Sequence, residues 1–254
     1  MAPTGERPVR DHTPASLIAL HEAGYRVVNS AIGDGIGIDI GCGLGTESSS
    51  LMRPGRQVIG IDYHHETASS ATALIDGALC ADARILPVAT GALDWVCSSH
   101  IIEHFTDPER HVAEIARVLR PGGTAVVLTP NEPADFENPF HVHLFRSSPL
   151  RQLLERHFES VAVMGLTGNE RVTGEFARRR RTGQRILALD VLNLRHRLPD
   201  RALAAVHSTG RRLLYPILNR GNAELTTADD FHLMEEGEPI TDEVLVLAAL
   251  VRTA

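Results

Sequence analysis

The sequence predicts an α/β fold built on a mostly parallel sheet, and three observations carry that expectation. The run Gly37-Ile38-Asp39-Ile40-Gly41-Cys42-Gly43-Leu44-Gly45-Thr46 reads as a short buried strand entering a glycine-rich turn. A second strand, Gln57 to Tyr63, ends in an acid, Asp62, 21 residues after Gly41. Beyond it, β-branched runs alternate with stretches of helical period. Such a turn lets the backbone approach a ligand, and an acid at the end of the second strand accepts from ribose hydroxyls. A nucleoside-bearing ligand is the expected class.

Other details narrow it. Thr46 stands where a dinucleotide fingerprint needs its third glycine, which disfavours a nicotinamide cofactor. Asp39 lies inside a buried strand, where a carboxylate needs a partner. A cationic or ammonium-bearing ligand over the turn would supply one.

In chain order, residues 1–13 read as loose polar chain and Ala15 to Ala31 as a helix. A further helix is expected from Thr46 to Leu51, its N-terminus offering N–H groups to the ligand. The third strand covers Ala78 to Ala81, and the fourth covers Leu93 to Ser99. Asp107-Pro108 opens a helix in the favoured way, with an N-cap acid and proline at the first position. Val112, Ile115, Val118 and Leu119 give it an apolar stripe, Gly122-Gly123 ends it, and Thr124 to Leu128 forms strand five. A helix over Pro149 to Phe158 precedes strand six, Glu159 to Leu166, and Val244 to Val251 is the last strand.

Composition bounds the function. The 254 residues fit one large domain with an insertion, and no apolar run is long enough to span a membrane. With no secretion core at the N-terminus, the cytoplasm is the expected location. Cys42, Cys80 and Cys97 lack zinc spacing and read as reduced thiols. All 25 basic residues are arginine, which excludes Schiff-base lysines and a phosphate-loop lysine. A net charge of −7 argues against nucleic acid as a partner.

Together, Asp39-x-Gly41-x-Gly43-x-Gly45, Asp62, Asp82 and the Leu119-Arg120-Pro121-Gly122-Gly123 turn resemble a class I S-adenosylmethionine-dependent methyltransferase. The resemblance implies a Rossmann-like seven-stranded sheet, mostly parallel with the last strand antiparallel, and a helical insertion between strands six and seven. On that pattern residues 15–35 hold the N-terminal helix, 36–166 the cofactor-binding core, 167–241 a cap, and 242–254 the final strand of a single domain. It further implies S-adenosylmethionine as cofactor, with S-adenosylhomocysteine as product. Asp39, Gly41, Cys42, Gly43, Asp62, Tyr63, Asp82, Ala83, Ser99 and His104 then bind the cofactor, Asp82 receiving the adenine amino group. Arg26, near the end of the first helix, is a candidate for the cofactor's carboxylate, against the reading of a solvated helix arginine.

The acceptor side is less specified. Thr129-Pro130-Asn131 with Asn138-Pro139-Phe140-His141, and Thr226 to Phe231, resemble segments of bacterial sugar and glucan O-methyltransferases. A hydroxyl acceptor must lose its proton during attack, and a histidine near neutrality suits that role. His141 is the candidate base and His143 the substitute. His-x-His with Glu132, Asp135 and Glu137 nearby leaves magnesium as a competing reading, but the adopted expectation is no metal. Ser98-Ser99-His100-Ile101 replaces the proline-rich tetrapeptide of amino methylases acting on DNA, and the paired glutamates of protein arginine methylases are missing too. A small hydroxylated molecule remains as acceptor, with an amino sugar or other amine as alternative, and a non-catalytic cofactor-binding module as a third.

Finally, Arg171 to Arg220 holds twelve arginines and three acids, whereas Gly221 to Glu243 holds eight acids and no arginine. Leucines in the basic part suggest amphipathic helices, leaving weak membrane-surface association and a homodimer open.

Overall fold

We describe the protein from a computed structural model over residues 13–135, 141–188 and 226–254, with the backbone alone for 183–188. Strands β1 (Gly35–Ile40), β2 (Arg56–Asp62), β3 (Gly77–Cys80), β4 (Leu93–Ser99) and β5 (Leu119–Pro130) pair in parallel. After β5 come β6 (Ser160–Gly168), the short β7 (Phe231–Leu233) and β8 (Val246–Arg252). The order across the sheet is β3-β2-β1-β4-β5-β8-β6-β7, with β8 antiparallel to both its neighbours. Ala249 sits between Val127 of β5 and Val163 of β6, so the last strand joins the two halves.

The pleat of β1 explains how both faces are covered. Ile38 and Ile40 point to one face, where they join Val112 and Ile115 of α3 (Pro108–Val118) and Leu150 and Leu154 of α4 (Ser147–Leu154). Gly37 and Asp39 point to the other face, under α1 (Ala15–Ala31). There Leu20, Tyr25, Val27 and Val28 pack with Trp95 and Val58. Helix α2 (His65–Ala71) connects β2 to β3, and α5 (Glu170–Ala188) follows β6.

Three features depart from the sequence expectation. The sheet has eight strands, because Phe231–Leu233 pairs antiparallel with Leu166–Gly168 at the edge. Three residues carry too little alternation to be read as a strand. The helix expected from Thr46 is a single 3₁₀ turn, Ser48–Leu51. Ser49 and Ser50 hydroxyls bond back to the Thr46 and Glu47 carbonyls, competing with helix propagation, and Pro54 follows directly. Finally, α3 stops at Val118, and Leu119 already pairs with Leu93 before an irregularity that carries the chain through the Gly122 turn.

The Arg178–Arg181 run, which reads as a solvated turn, lies on α5. Arg179 is buried there, 3.3 Å from Ser16 Oγ and over the Phe176 ring, and Arg180 donates to the Pro133 carbonyl. The leucine-rich helices expected within 189–225 lie outside the described residues. Among the described residues, no helix is long and apolar enough to cross a membrane.

Candidate functional site

The carboxyl ends of β1, β2, β4 and β5 form one rim, and most of the singled-out residues lie along it. Gly41 leaves β1 at φ 80°, and its N–H and that of Cys42 both donate to the Ile61 carbonyl of β2. A Cβ at Gly41 would stand 2.1 Å from Ile101 Cδ1, so only glycine admits the segment after β4 so close to the turn. Gly43, at φ 57°, is different: a Cβ there meets nothing within 4 Å, and the turn is open above it. Cys42 is buried, its sulfur packed where β2 carries Gly60.

Asp39 is fully buried beneath this turn. Its Oδ2 accepts from Tyr25 O–H at 2.9 Å and from Ser48 O–H at 2.5 Å, so α1 and the 3₁₀ turn supply the partners expected of a ligand. Oδ1 is buried without a hydrogen-bond partner. Burial raises the carboxyl to a pKa of about 6, against the pull of the Ser48 and Tyr25 bonds.

At the end of β2, Asp62 is nearly buried and its Oδ1 accepts from the His64 N–H at 2.8 Å. Tyr63 beside it is exposed and edges onto the His64 ring. Asp82 follows β3 and is held in a two-pronged pair with Arg84, at 3.0 and 2.7 Å. That guanidinium holds the Asp82 carboxyl below its ordinary range. The adjacent Ala83 carbonyl accepts from His111 Nδ1 at 3.0 Å, which fixes the tautomer: His111 Nε2 must accept from Ser98 O–H, at 2.8 Å. His111 is fully buried, and burial lowers its pKa to about 4. Sequence reading missed this residue, since a histidine on an apolar helix stripe carries no motif.

Ser99 ends β4, nearly buried, with an Oγ that has no hydrogen-bond partner. His100 follows in a left-handed conformation, φ 56°, its ring 4.6 Å from that of His21. Arg26 is exposed and its guanidinium pairs with Asp229, at the end of the insert.

A second cluster sits beside β5. Glu103 is fully buried and its Oε2 accepts from Thr129 O–H at 3.1 Å. Around Oε1 stand His100 Nδ1 at 3.4 Å and His141 Nε2 at 3.9 Å. Burial alone would raise the Glu103 carboxyl, but His100, His104 and His141 outweigh it and leave the pKa at about 2. His141 Nδ1 lies 2.6 Å from Asp135 Oδ2, and its ring stands edge-on to His104, centroids 5.0 Å apart. The Val142 and His143 N–H groups both donate to the Glu103 carbonyl. The His143 ring packs instead against Phe145, 4.5 Å away; an extended stretch would put both histidines on one face, but the chain bends at His143 and parts them. A pocket of about 190 Å³ is lined by Ala134, Phe176, Arg180 and Leu245, and by none of these carboxylates and imidazoles.

Comparisons with known proteins bear on the fold and the family. Residues 38–127 match the model of the methyltransferase domain family. A probable S-adenosylmethionine-dependent methyltransferase of Mycolicibacterium smegmatis is 32% identical over 145 residues, covering 53% of this chain and 56% of the relative. A ubiquinone biosynthesis O-methyltransferase of Xanthomonas oryzae is 35% identical over 107 residues, 39% of this chain and 45% of that one. This chain thus spans about half the length of the relatives it matches. Among solved structures, a Thermotoga maritima S-adenosylmethionine-dependent methyltransferase superposes with a TM-score of 0.61 at 16% identity, over 94% of this chain and 91% of that one. A [4+2]-cyclase superposes with a TM-score of 0.57 at 17% identity, over 91% and 81%. The fold is the Rossmann-like one of the methyltransferases, and the cyclase shows that it also hosts other chemistry.

Proposed function

We propose that this chain is an S-adenosylmethionine-dependent methyltransferase acting on a hydroxyl of a small molecule, with a sugar or glycosylated metabolite as the acceptor class. The rim supports the cofactor assignment: an open turn over Gly43, Asp62 at the ribose position, and two buried polar atoms, Asp39 Oδ1 and Ser99 Oγ, without partners. On this reading Asp82 would meet the adenine, and Arg84, already on its carboxylate, would meet the base with it. When bound, S-adenosylmethionine supplies an electrophilic methyl group on a sulfonium.

The hydroxyl reading rests on one observation, the 2.6 Å pair of Asp135 and His141 beside β5. Asp135 accepts from Nδ1–H, fixes the ring and leaves Nε2 as the basic nitrogen. His141 can then take the acceptor's proton as attack proceeds on the methyl carbon, with acceptor oxygen, methyl and sulfur in line. Likeness to ubiquinone O-methyltransferases supports oxygen as the acceptor atom. The saccharide class rests on the sequence resemblance of residues 129–145 and 226–231.

The test is His141→Ala, assayed with labelled cofactor on a panel of hydroxyl and amine acceptors. Turnover should fall on the order of 10²–10⁴-fold with S-adenosylhomocysteine affinity unchanged. Unaltered turnover would point to an amine acceptor. Tight cofactor binding with no acceptor methylated in the wild type would favour a non-catalytic module.

A further inference from the structure

We propose that Glu103, His104 and His141 form a binding site for one divalent late-transition ion of the zinc type. One donor atom from each lies within 4.8 Å of the other two. The carboxylate is aimed: Thr129 holds Oε2 at 3.1 Å, while Oε1, fully buried, has His100 Nδ1 at 3.4 Å but no hydrogen bond of good geometry. A buried, unsatisfied carboxylate oxygen calls for an explanation, and a cation is one that chemistry supplies. Asp135 gives His141 the outer carboxylate that orients metal-bound imidazoles, on the ring nitrogen remote from Glu103. The framework is fixed as well, since the Val142 and His143 N–H groups tie the histidine loop to the Glu103 carbonyl at 3.0 Å each.

Tetrahedral coordination with bonds of about 2.0–2.1 Å sets donors roughly 3.3–3.4 Å apart. The 3.9 Å between Glu103 Oε1 and His141 Nε2 lies a side-chain rotation away from that. Two imidazoles and one carboxylate suit zinc and its neighbours, whereas magnesium asks for a shell of oxygens. Three protein ligands leave a position open to water or to an acceptor oxygen. The site goes beyond the methyl-transfer reading and does not need it. The two meet at His141 Nε2, which carries either a metal or the acceptor's proton, so occupancy should suppress transfer.

The experiment titrates the untagged full chain with Zn²⁺ by calorimetry and with Co²⁺ by visible absorption. One ion per chain is expected, not displaced by Mg²⁺. His104→Asn and His141→Asn should each weaken binding by more than about 100-fold, and Asp135→Asn by about 10–100-fold. Absence of stoichiometric binding, or affinity unchanged in both histidine variants, overturns the proposal. Should a variant fail to fold, the wild type decides: Zn²⁺ should protect His104 and His141, but not His157, from acylation by diethyl pyrocarbonate, and equal labelling refutes the site. S-adenosylhomocysteine binding and methyl transfer are measured on the same samples. Transfer is read on metal-free protein: metal binding with no transfer by the metal-free chain sinks the enzymatic reading alone, and transfer by a chain that binds no metal sinks this one alone.

Discussion

Replacing Asp39 with Asn should make the protein more stable as the pH rises, although it removes a residue placed at the cofactor turn. The folded carboxyl titrates at about 6 because it is buried, and the unfolded one near 3.8. Between those values unfolding releases a proton, so raising the pH drains stability from the wild type. Below pH 3.8 the two forms carry the same proton, and above about 6 the loss is complete. At ~1.4 kcal/mol per pH unit, the gap amounts to about 3 kcal/mol. Asn keeps an oxygen for the Tyr25 and Ser48 hydroxyls but puts an amide where Oδ1 has no partner. That buried donor costs about 1–3 kcal/mol at every pH, so the slope carries the test rather than the offset. Urea unfolding of both proteins from pH 4 to 8 measures it. The difference between variant and wild type should climb in favour of Asn up to about pH 6 and then level off. A flat difference would show that Asp39 is not held protonated by burial, and the account of the turn would fail.

Other outcomes follow from the same geometry. The His111 imidazole is kept neutral, its pKa lowered from 6.5 to about 4, so its contribution is present above pH 6.5 and lost as the pH falls toward 4. His111→Phe should remove about 3 kcal/mol of that acid-side loss while destabilising the protein at pH 7.5, read by urea melts at both pH values. Gly43→Ala should fold at a cost of about 1–2 kcal/mol for its left-handed backbone, yet lose S-adenosylhomocysteine affinity, because the added methyl enters the open side of the turn. Gly41→Ala meets Ile101 and should fail on both counts, as melting and calorimetry would show. S-adenosylhomocysteine at 100 times its Kd should add about 2.7 kcal/mol to wild-type stability, visible as a raised melting temperature. That gain should disappear in Asp62→Ala.

Much of the cofactor rim is legible in the sequence because it consists of short-range signals. Gly41, Gly43, Asp62 and Asp82 each follow a strand at a fixed offset, and the sheet brings strand ends together. What escaped reading is long-range. Nothing around His111 signals that its ring bridges Ser98 and Ala83, since those partners lie 13 and 28 residues away. Arg26 pairs with Asp229, 203 residues on, a contact no local spacing announces. The Asp135–His141 pair spans only six residues, but that spacing belongs to no helical or strand period that would announce it. The helix after Gly45 was misread for a local reason: three serines and a following proline outweigh the pattern of related turns.

The place of β8 divides the labour of the sheet. β5 and β6 never pair with each other; each is hydrogen-bonded to β8 alone on that side. The five parallel strands therefore pair among themselves, while β6 and β7 join them only through a strand that arrives after the insert. On the methyl-transfer reading, remodelling beyond β6 would change the guest and leave untouched the strands that hold the donor.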